Sequence, residues 1–210
     1  MLEEIYHNVV TGDADGVAEG VQQALAVGHT PVEILNQSLI PAMTKMGHRY
    51  EYGECFVPEM LIAARAMEKG MAVLKPRLVE TNAKLLGRVV LGTVRGDLHD
   101  IGKNLVGMML AGAGFEVIDL GVDVQAERFV EAVRLHRPDF LGISTLLTTT
   151  MSGISTVIEA LNKAGLRHQV LVMVGGAPLT QEFANQVGAD FFATDAALAA
   201  KQARMLLEIG

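Results

Sequence analysis

The sequence has no tryptophan, a single cysteine (Cys55) and fewer basic than acidic residues: 17 Lys and Arg against 24 Asp and Glu, a net charge of −7. One cysteine cannot close an internal disulfide, which fits a reducing compartment. The charge balance argues against a nucleic-acid partner, whose recognition needs a basic patch. No stretch reaches the ~18 consecutive apolar residues of a transmembrane helix. The acidic start Met1-Leu2-Glu3-Glu4-Ile5 lacks the basic region and long apolar core of a signal peptide. A cytoplasmic protein with no membrane partner is expected. There is no internal repeat and no low-complexity segment. What is present in quantity is apolar: half of the 210 residues are hydrophobic, enough to bury a substantial core in one or two domains.

Residues 1–75 read as helices without strands. Leu2, Ile5, Tyr6 and Val9 fall at helical spacing, Asp13 can cap a second helix with Val17, Val21, Ala24 and Leu25 on its apolar face, and Gly28 is placed to end it. Thr30-Pro31-Val32-Glu33 is a capping box with proline at the first helical position. Behind it Val32, Leu35, Leu39, Ile40, Met43 and Met46 line one face. After a turn at Glu51-Tyr52-Gly53-Glu54, Pro58 opens a fourth helix carrying Met60, Leu61, Ala64, Met67, Met71 and Leu74. Four such helices make a small bundle. Lys75-Pro76 is expected to stop the fourth, leaving 76–87 as a linker.

From Arg88 the pattern alternates between strand and helix. Candidate strands are Val89–Val94, Phe115–Leu120, Phe140–Ser144, Val170–Val174 and Phe191–Thr194, with helices near 101–113, 125–136, 151–165, 180–187 and 196–208. Short, nearly continuous apolar strands are what a parallel sheet covered on both faces requires. Residues 88–210 therefore predict a doubly wound α/β domain, a five-stranded sheet of flavodoxin-like order 2-1-3-4-5. In that order the first and third strands are neighbours, and the crevice beyond their carboxyl ends is the expected binding site. Three polar or glycine-rich features meet there: Asp97-Leu98-His99, the hydroxyl-rich Ser144-Thr145-Leu146-Leu147-Thr148-Thr149-Thr150, and Gly175-Gly176-Ala177-Pro178. Each alone has a local explanation, as a helix cap, an ST-turn or a tight turn. Their coincidence at one crevice does not.

Familiar tenants of this crevice fail in turn. A phospho-receiver needs Asp after the third strand and Lys after the fifth, where this chain has Ser144 and Thr194. There is no Gly-x-x-x-x-Gly-Lys phosphate loop, and Gly112-Ala113-Gly114 precedes a strand, so the dinucleotide signature fails. A zinc site wants several His or Cys ligands, and the loop offers one histidine. A single imidazole suits a metal whose other positions are filled by a macrocycle.

Asp97-x-His99-x-x-Gly102, then Ser144-x-Leu146 after 41 residues and Gly175-Gly176 after 28 more, resembles the motif set of the cobalamin (corrinoid)-binding domain. The spacing makes the signal specific, and the resemblance covers nearly the whole chain. Cys55-Phe56-Val57-Pro58-Glu59-Met60 and Ala63-Ala64-Arg65-Ala66-Met67 look like the four-helix cap preceding this domain in methionine synthase and in small corrinoid proteins. Gly92-Thr93-Val94-x-Gly96-Asp97, Thr148-Thr149-Thr150-Met151 and Val174-Gly175-Gly176-Ala177-Pro178-Leu179-Thr180 are similar to corrinoid proteins of methylamine, methanol and methoxyaromatic methyltransferase systems.

The resemblance implies a cobamide (cobalamin or a related corrinoid) whose cobalt takes His99 as lower axial ligand. Asp97 would bond the other imidazole nitrogen, and Thr150 stands where methionine synthase has a serine completing this relay. The implied cofactor site comprises Gly96, Asp97, Leu98, His99, Asp100, Gly102, Ser144, Leu146, Thr148, Thr150, Gly175 and Gly176, with Phe56 from the cap. Phe56, Ala63 and Ala66 would shield the corrin, with 76–87 as hinge, and release of His99 would be coupled to proton uptake at the His99–Asp97 pair. The implied function is a methyl carrier of anaerobic one-carbon metabolism, not catalytic alone. Its partners would be a substrate-specific methyltransferase, a second methyltransferase acting on tetrahydrofolate or coenzyme M, and a reductive activase. A cobalamin-dependent sensor or regulator and the small subunit of a mutase are the alternatives.

Overall fold

A computed structural model describes residues 1–80 and 85–209. The chain divides into two compact units, Met1–Leu85 with Gly112–Gly114, and Leu86–Ala111 with Phe115–Gly210.

The first unit is helical: α1 (Leu2–Thr11), α2 (Ala14–Ala26), α3 (Pro31–Ile34), α4 (Ile40–Glu51) and α5 (Val57–Glu80). Asp13 caps α2 by accepting the Gly16 N–H at 2.9 Å, and Thr30 and Glu33 form the reciprocal capping box at the start of α3. A π-helical turn, Leu35–Leu39, joins α3 to α4. Pro41 just beyond it has no N–H to continue the ordinary ladder, and the Ile40 N–H reaches the Leu35 carbonyl instead. The turn rotates the apolar stripe, so Ile34, Leu35, Leu39, Met43 and Met46 are buried while Val32, expected on that face, is exposed.

The expected stop at Lys75-Pro76 is overturned, because α5 runs through Pro76 to Glu80. Proline forfeits one hydrogen bond, but Leu78 extends the buried row of Met60, Ala64, Met67 and Leu74 by another turn. That burial outweighs the missing donor. The rest of the expected linker and hinge falls partly on 81–84, outside the described residues.

The second unit carries β1 (Arg88–Thr93), α6 (Ile101–Gly112), β2 (Glu116–Asp119), α7 (Ala126–His136), β3 (Phe140–Ser144), α8 (Ser152–Lys163), β4 (Leu171–Gly175), α9 (Gln181–Val187), β5 (Phe191–Phe192) and α10 (Ala196–Ile209). The strands form one parallel sheet of order β2-β1-β3-β4-β5. β5 is two residues shorter than expected because Asp195 turns back to accept the Leu198 N–H at the start of α10. Val90, Leu141, Ile143, Val172 and Val174 pack with α7 and α8, Phe129 and Ile154 among them. On the opposite face Leu91 meets α6 at Gly107. β1 and β3 pair from Val89↔Phe140 to Thr93↔Ser144, so their carboxyl ends open side by side.

Candidate functional site

β1 ends in a loop whose geometry is set by Gly96, at φ 81°. The Asp97 N–H returns to the Val94 carbonyl at 3.2 Å, and the Thr93 hydroxyl donates to the His99 carbonyl at 3.1 Å. This fold of the backbone drives the Asp97 side chain inward, where it is fully buried, and leaves His99 outside with its side chain 49% exposed.

A buried carboxylate must be saturated with donors, and Asp97 is. Its Oδ1 accepts the His99 N–H at 3.0 Å and bonds His99 Nδ1 at 2.7 Å. Its Oδ2 accepts the N–H groups of Leu146 at 2.7 Å and Leu147 at 3.3 Å, with the hydroxyls of Thr145 at 3.1 Å and Thr150 at 3.0 Å. The two hydroxyl oxygens lie 2.7 Å apart, so with one proton each, one can donate to Oδ2 while the other donates to Oδ2 or to its neighbour. Burial alone would raise the Asp97 carboxyl. The N–H groups of Leu146 and His99, the His99 ring and the Thr150 hydroxyl outweigh it and hold the group well below the usual carboxylate range. An ionised Asp97 only accepts, so His99 carries its proton on Nδ1 and presents the Nε2 lone pair outward. No hydrogen-bond partner for Nε2 exists among the described residues.

Gly176, at φ 143°, stands behind this cluster, and a Cβ there would overlap the Thr145 carbonyl. The Thr145 N–H reaches the Gly175 carbonyl at 3.2 Å. The loop after β2 closes the other side. Asp123 Oδ1 accepts the Gly96 N–H at 2.7 Å, and the Asp123 N–H donates to the Asp97 carbonyl at 3.0 Å. That loop is held in turn by Lys103, a buried cation whose ammonium takes both Asp119 oxygens at 2.7 and 2.6 Å and Asn104 Oδ1 at 2.7 Å.

The structure thus brings Gly96, Asp97, His99, Leu146, Thr150, Gly175 and Gly176 together. Leu98 (72% exposed) and Ile101 (70%), close to His99 in the chain, and the less exposed Leu146 and Leu147, whose N–H groups bind Asp97, put apolar side chains into solvent. Gly102 opens α6 with nothing within 4 Å of where a Cβ would stand. Ser144 and Thr148 flank the cluster, with no hydrogen bond from either hydroxyl among the described residues. Asp100 stands apart: its carboxylate and carbonyl bind Asn104 in the first turn of α6, at 3.1 and 2.7 Å, which accounts for it as a helix start. Phe56 belongs to the helical unit, where it is 68% exposed, whereas Ala63 and Ala66 are completely buried and present no surface for shielding.

Thr145, Asp123 and Lys103 escape the sequence motifs. Thr145 had a signal: it shares strand parity with the buried Leu141 and Ile143, so its hydroxyl turns inward, whereas the Ser-x-Leu pattern draws attention to Ser144.

Both parts of the chain resemble known proteins. Residues 87–201 match one B12 binding domain family, and residues 1–75 match a second family of the same description. Trimethylamine corrinoid protein 1 of Methanosarcina acetivorans is 42% identical over 93% of this chain and 91% of its own length. The dimethylamine corrinoid protein of Methanosarcina barkeri is 43% identical over 99% and 97%. Among solved structures, a chain of the methanol:cobalamin methyltransferase complex MtaBC from Methanosarcina barkeri aligns with a TM-score of 0.88 at 32% identity, covering 99% of this chain and 79% of that one. A cobalamin-binding protein from Desulfitobacterium hafniense aligns at 0.78 with 33% identity, covering 98% of each.

The residues fit the cofactor these comparisons imply. No cluster of three or more His, Cys, Asp or Glu able to hold a metal ion occurs among the described residues, so these side chains alone do not build a multi-ligand metal site, which is compatible with a metal carried in a prosthetic group. The exposed leucines and Ile101 have no role in the chain's own core, and such patches mark binding surfaces. Gly102 has no packing reason to be glycine. With a family match spanning more than half its length and relatives aligned almost end to end, the chain belongs to the B12 binding domain family of corrinoid proteins, and its cofactor is a cobamide with its cobalt.

Proposed function

We propose that this chain is a methyl carrier whose His99 Nε2 would ligate the cobamide cobalt, serving a substrate-specific methyltransferase and a second methyltransferase acting on tetrahydrofolate or coenzyme M, with a reductive activase as a third partner. The observation that carries the reading is the Asp97–His99 bond, 2.7 Å from Oδ1 to Nδ1, which fixes the tautomer and leaves a basic nitrogen bare. When bound, the cobamide supplies the metal-centred nucleophile that accepts and releases the methyl group. The chain supplies orientation and environment. Asp97 keeps the proton on Nδ1 and raises the basicity of Nε2, as carboxylates behind metal-bound histidines do. Thr145, Thr150 and the N–H groups of Leu146 and Leu147 keep Asp97 ionised and immobile. Leu98, Ile101, Leu146 and Leu147 offer the cofactor an apolar surface, and Gly102 and Gly175 permit its close approach to the backbone, while Gly176 lets the chain's own Thr145 carbonyl come close. Gly96 and Asp100 shape the two ends of the loop, and Ser144 and Thr148 offer their hydroxyls to the cofactor's polar periphery.

The Methanosarcina relatives are named for trimethylamine and dimethylamine, which supports methylated amines as the first donors to try. The cobamide-loaded, reduced chain is incubated with each amine and its methyltransferase, and methylation of the cobalt is followed by absorbance. Methylation with one donor, abolished in His99→Ala or slowed at least tenfold, supports the carrier reading. No methylation with any amine, methanol or methoxyaromatic partner overturns it in favour of a sensor, and carbon-skeleton rearrangement in its place identifies a mutase subunit.

A further inference from the structure

Asp123 is one of two non-glycine residues with positive φ among the described residues, at 53°. A side chain held there is strained, and such strain marks sites where surrounding bonds over-determine the backbone. An aspartate three residues before α7 would ordinarily be read as part of that helix's cap. It caps nothing: the residue at the N-cap is Gln125, with no side-chain cap bond. The Asp123 carboxylate instead reaches back to the Gly96 N–H at 2.7 Å, and its own N–H holds the Asp97 carbonyl at 3.0 Å. Those two bonds straddle the Gly96–Asp97 peptide, on which the direction of the Asp97 side chain depends.

Asp123 itself is anchored from both sides. Val124 N–H bonds the Thr93 carbonyl at 2.9 Å, and the Gly121 carbonyl accepts the Thr93 N–H at 3.0 Å. Upstream, the Gly121 N–H is taken by Asp119 Oδ1 at 2.9 Å, and Asp119 is gripped by the buried Lys103. A continuous set of bonds therefore runs from Lys103 through the β2–α7 loop to the peptide that aims Asp97.

The geometry points to Asp123 as a positioning residue for His99: it fixes the Gly96–Asp97 peptide, and through it the Asp97 carboxylate that sets the imidazole tautomer and direction. The inference rests on the reading of His99 as the cobalt ligand only for its consequence; the positioning itself exists in the cofactor-free chain. It acts through an acceptor oxygen and a left-handed backbone, both of which asparagine supplies and alanine does not. Glycine supplies the backbone without the acceptor, which separates the two.

The test uses the full chain labelled with nitrogen-15 histidine and free of cofactor. Ring nitrogen NMR reads the tautomer of each of the six histidines, with His99 assigned by its loss in His99→Gln. The wild type and Asp123→Asn are expected to show His99 as the Nδ1–H tautomer. Asp123→Gly and Asp123→Ala are expected to lose that signature, shifting toward the Nε2–H form that free imidazole prefers. An unchanged His99 tautomer in Asp123→Gly overturns the inference, and so does its loss in Asp123→Asn, which would show that the acceptor oxygen is not what acts. The cobalt(II) spectrum of the cobamide-loaded wild type is recorded in parallel. Absence of a histidine ligand there defeats the reading of His99 and leaves the NMR result to decide the role of Asp123.

Discussion

At the scale of single residues, Asp97 is the decisive group, because it is an ionised carboxylate with no exposure and donors on both oxygens. Asparagine at this position has the same shape but turns an N–H₂ toward donors. Asp97→Asn is expected to lower the stability of the cofactor-free chain by about 2 kcal/mol at pH 7, measured by urea unfolding. The sign of its pH dependence follows from the depressed folded-state pKa. The ionised form contributes fully above the ordinary carboxylate pKa and is lost as pH falls through the folded value, so the gap to Asp97→Asn narrows at pH 3. A gap that widens on acidification contradicts this. The two threonines share one task, since either hydroxyl reaches Oδ2. Thr145→Val and Thr150→Ala each leave the other in place and are expected to cost about 1 kcal/mol, the double variant more than the sum, in the same unfolding measurement. Exact additivity would show that the hydroxyls act separately. His99, Asp97 and Thr150 were legible in the sequence because they lie in polar loops after buried strands. Asp123 was not, since its partner Gly96 lies 27 positions away and an acidic residue before a helix reads as a cap.

At the scale of elements, the two ends of the crevice use glycine for opposite reasons. At Gly176 a Cβ meets the Thr145 carbonyl in a backbone region that favours glycine. Gly176→Ala is therefore expected to destabilise by about 3 kcal/mol or more. At Gly102 a Cβ meets nothing, so Gly102→Ala is expected to raise cofactor-free stability by up to about 1 kcal/mol through helix propensity while weakening cobamide uptake, read by equilibrium dialysis. Equal uptake by Gly102→Ala and wild type would show that the open space is not used. Strands and helices of the second unit were legible from periodicity, because each βα unit is written locally, and the order 2-1-3-4-5 followed from the doubly wound fold that such units fit. What local reading missed was set by distant packing. Pro76 looked terminal until the burial of Leu78 is considered, and Val32 looked buried until the π-helical turn before Pro41 rotates its face away.

At the scale of the whole molecule, no helix among the described residues is long and apolar enough to cross a membrane. Both units match families described as B12 binding domains. Binding to the native state alone must stabilise it by mass action, so cobamide at a hundred times its Kd is expected to add about 2.7 kcal/mol to the unfolding free energy, seen as a raised urea midpoint. An unmoved midpoint would mean that the folded chain does not hold the cofactor. The central claim is narrower, a bond from His99 Nε2 to cobalt, and it is tested most directly by the electron paramagnetic resonance spectrum of the cobalt(II) cobamide-loaded protein. With nitrogen-15 histidine, the axial nitrogen splitting should change from the triplet of nitrogen-14 to a doublet, and should vanish in His99→Ala. A splitting indifferent to the label would contradict the account.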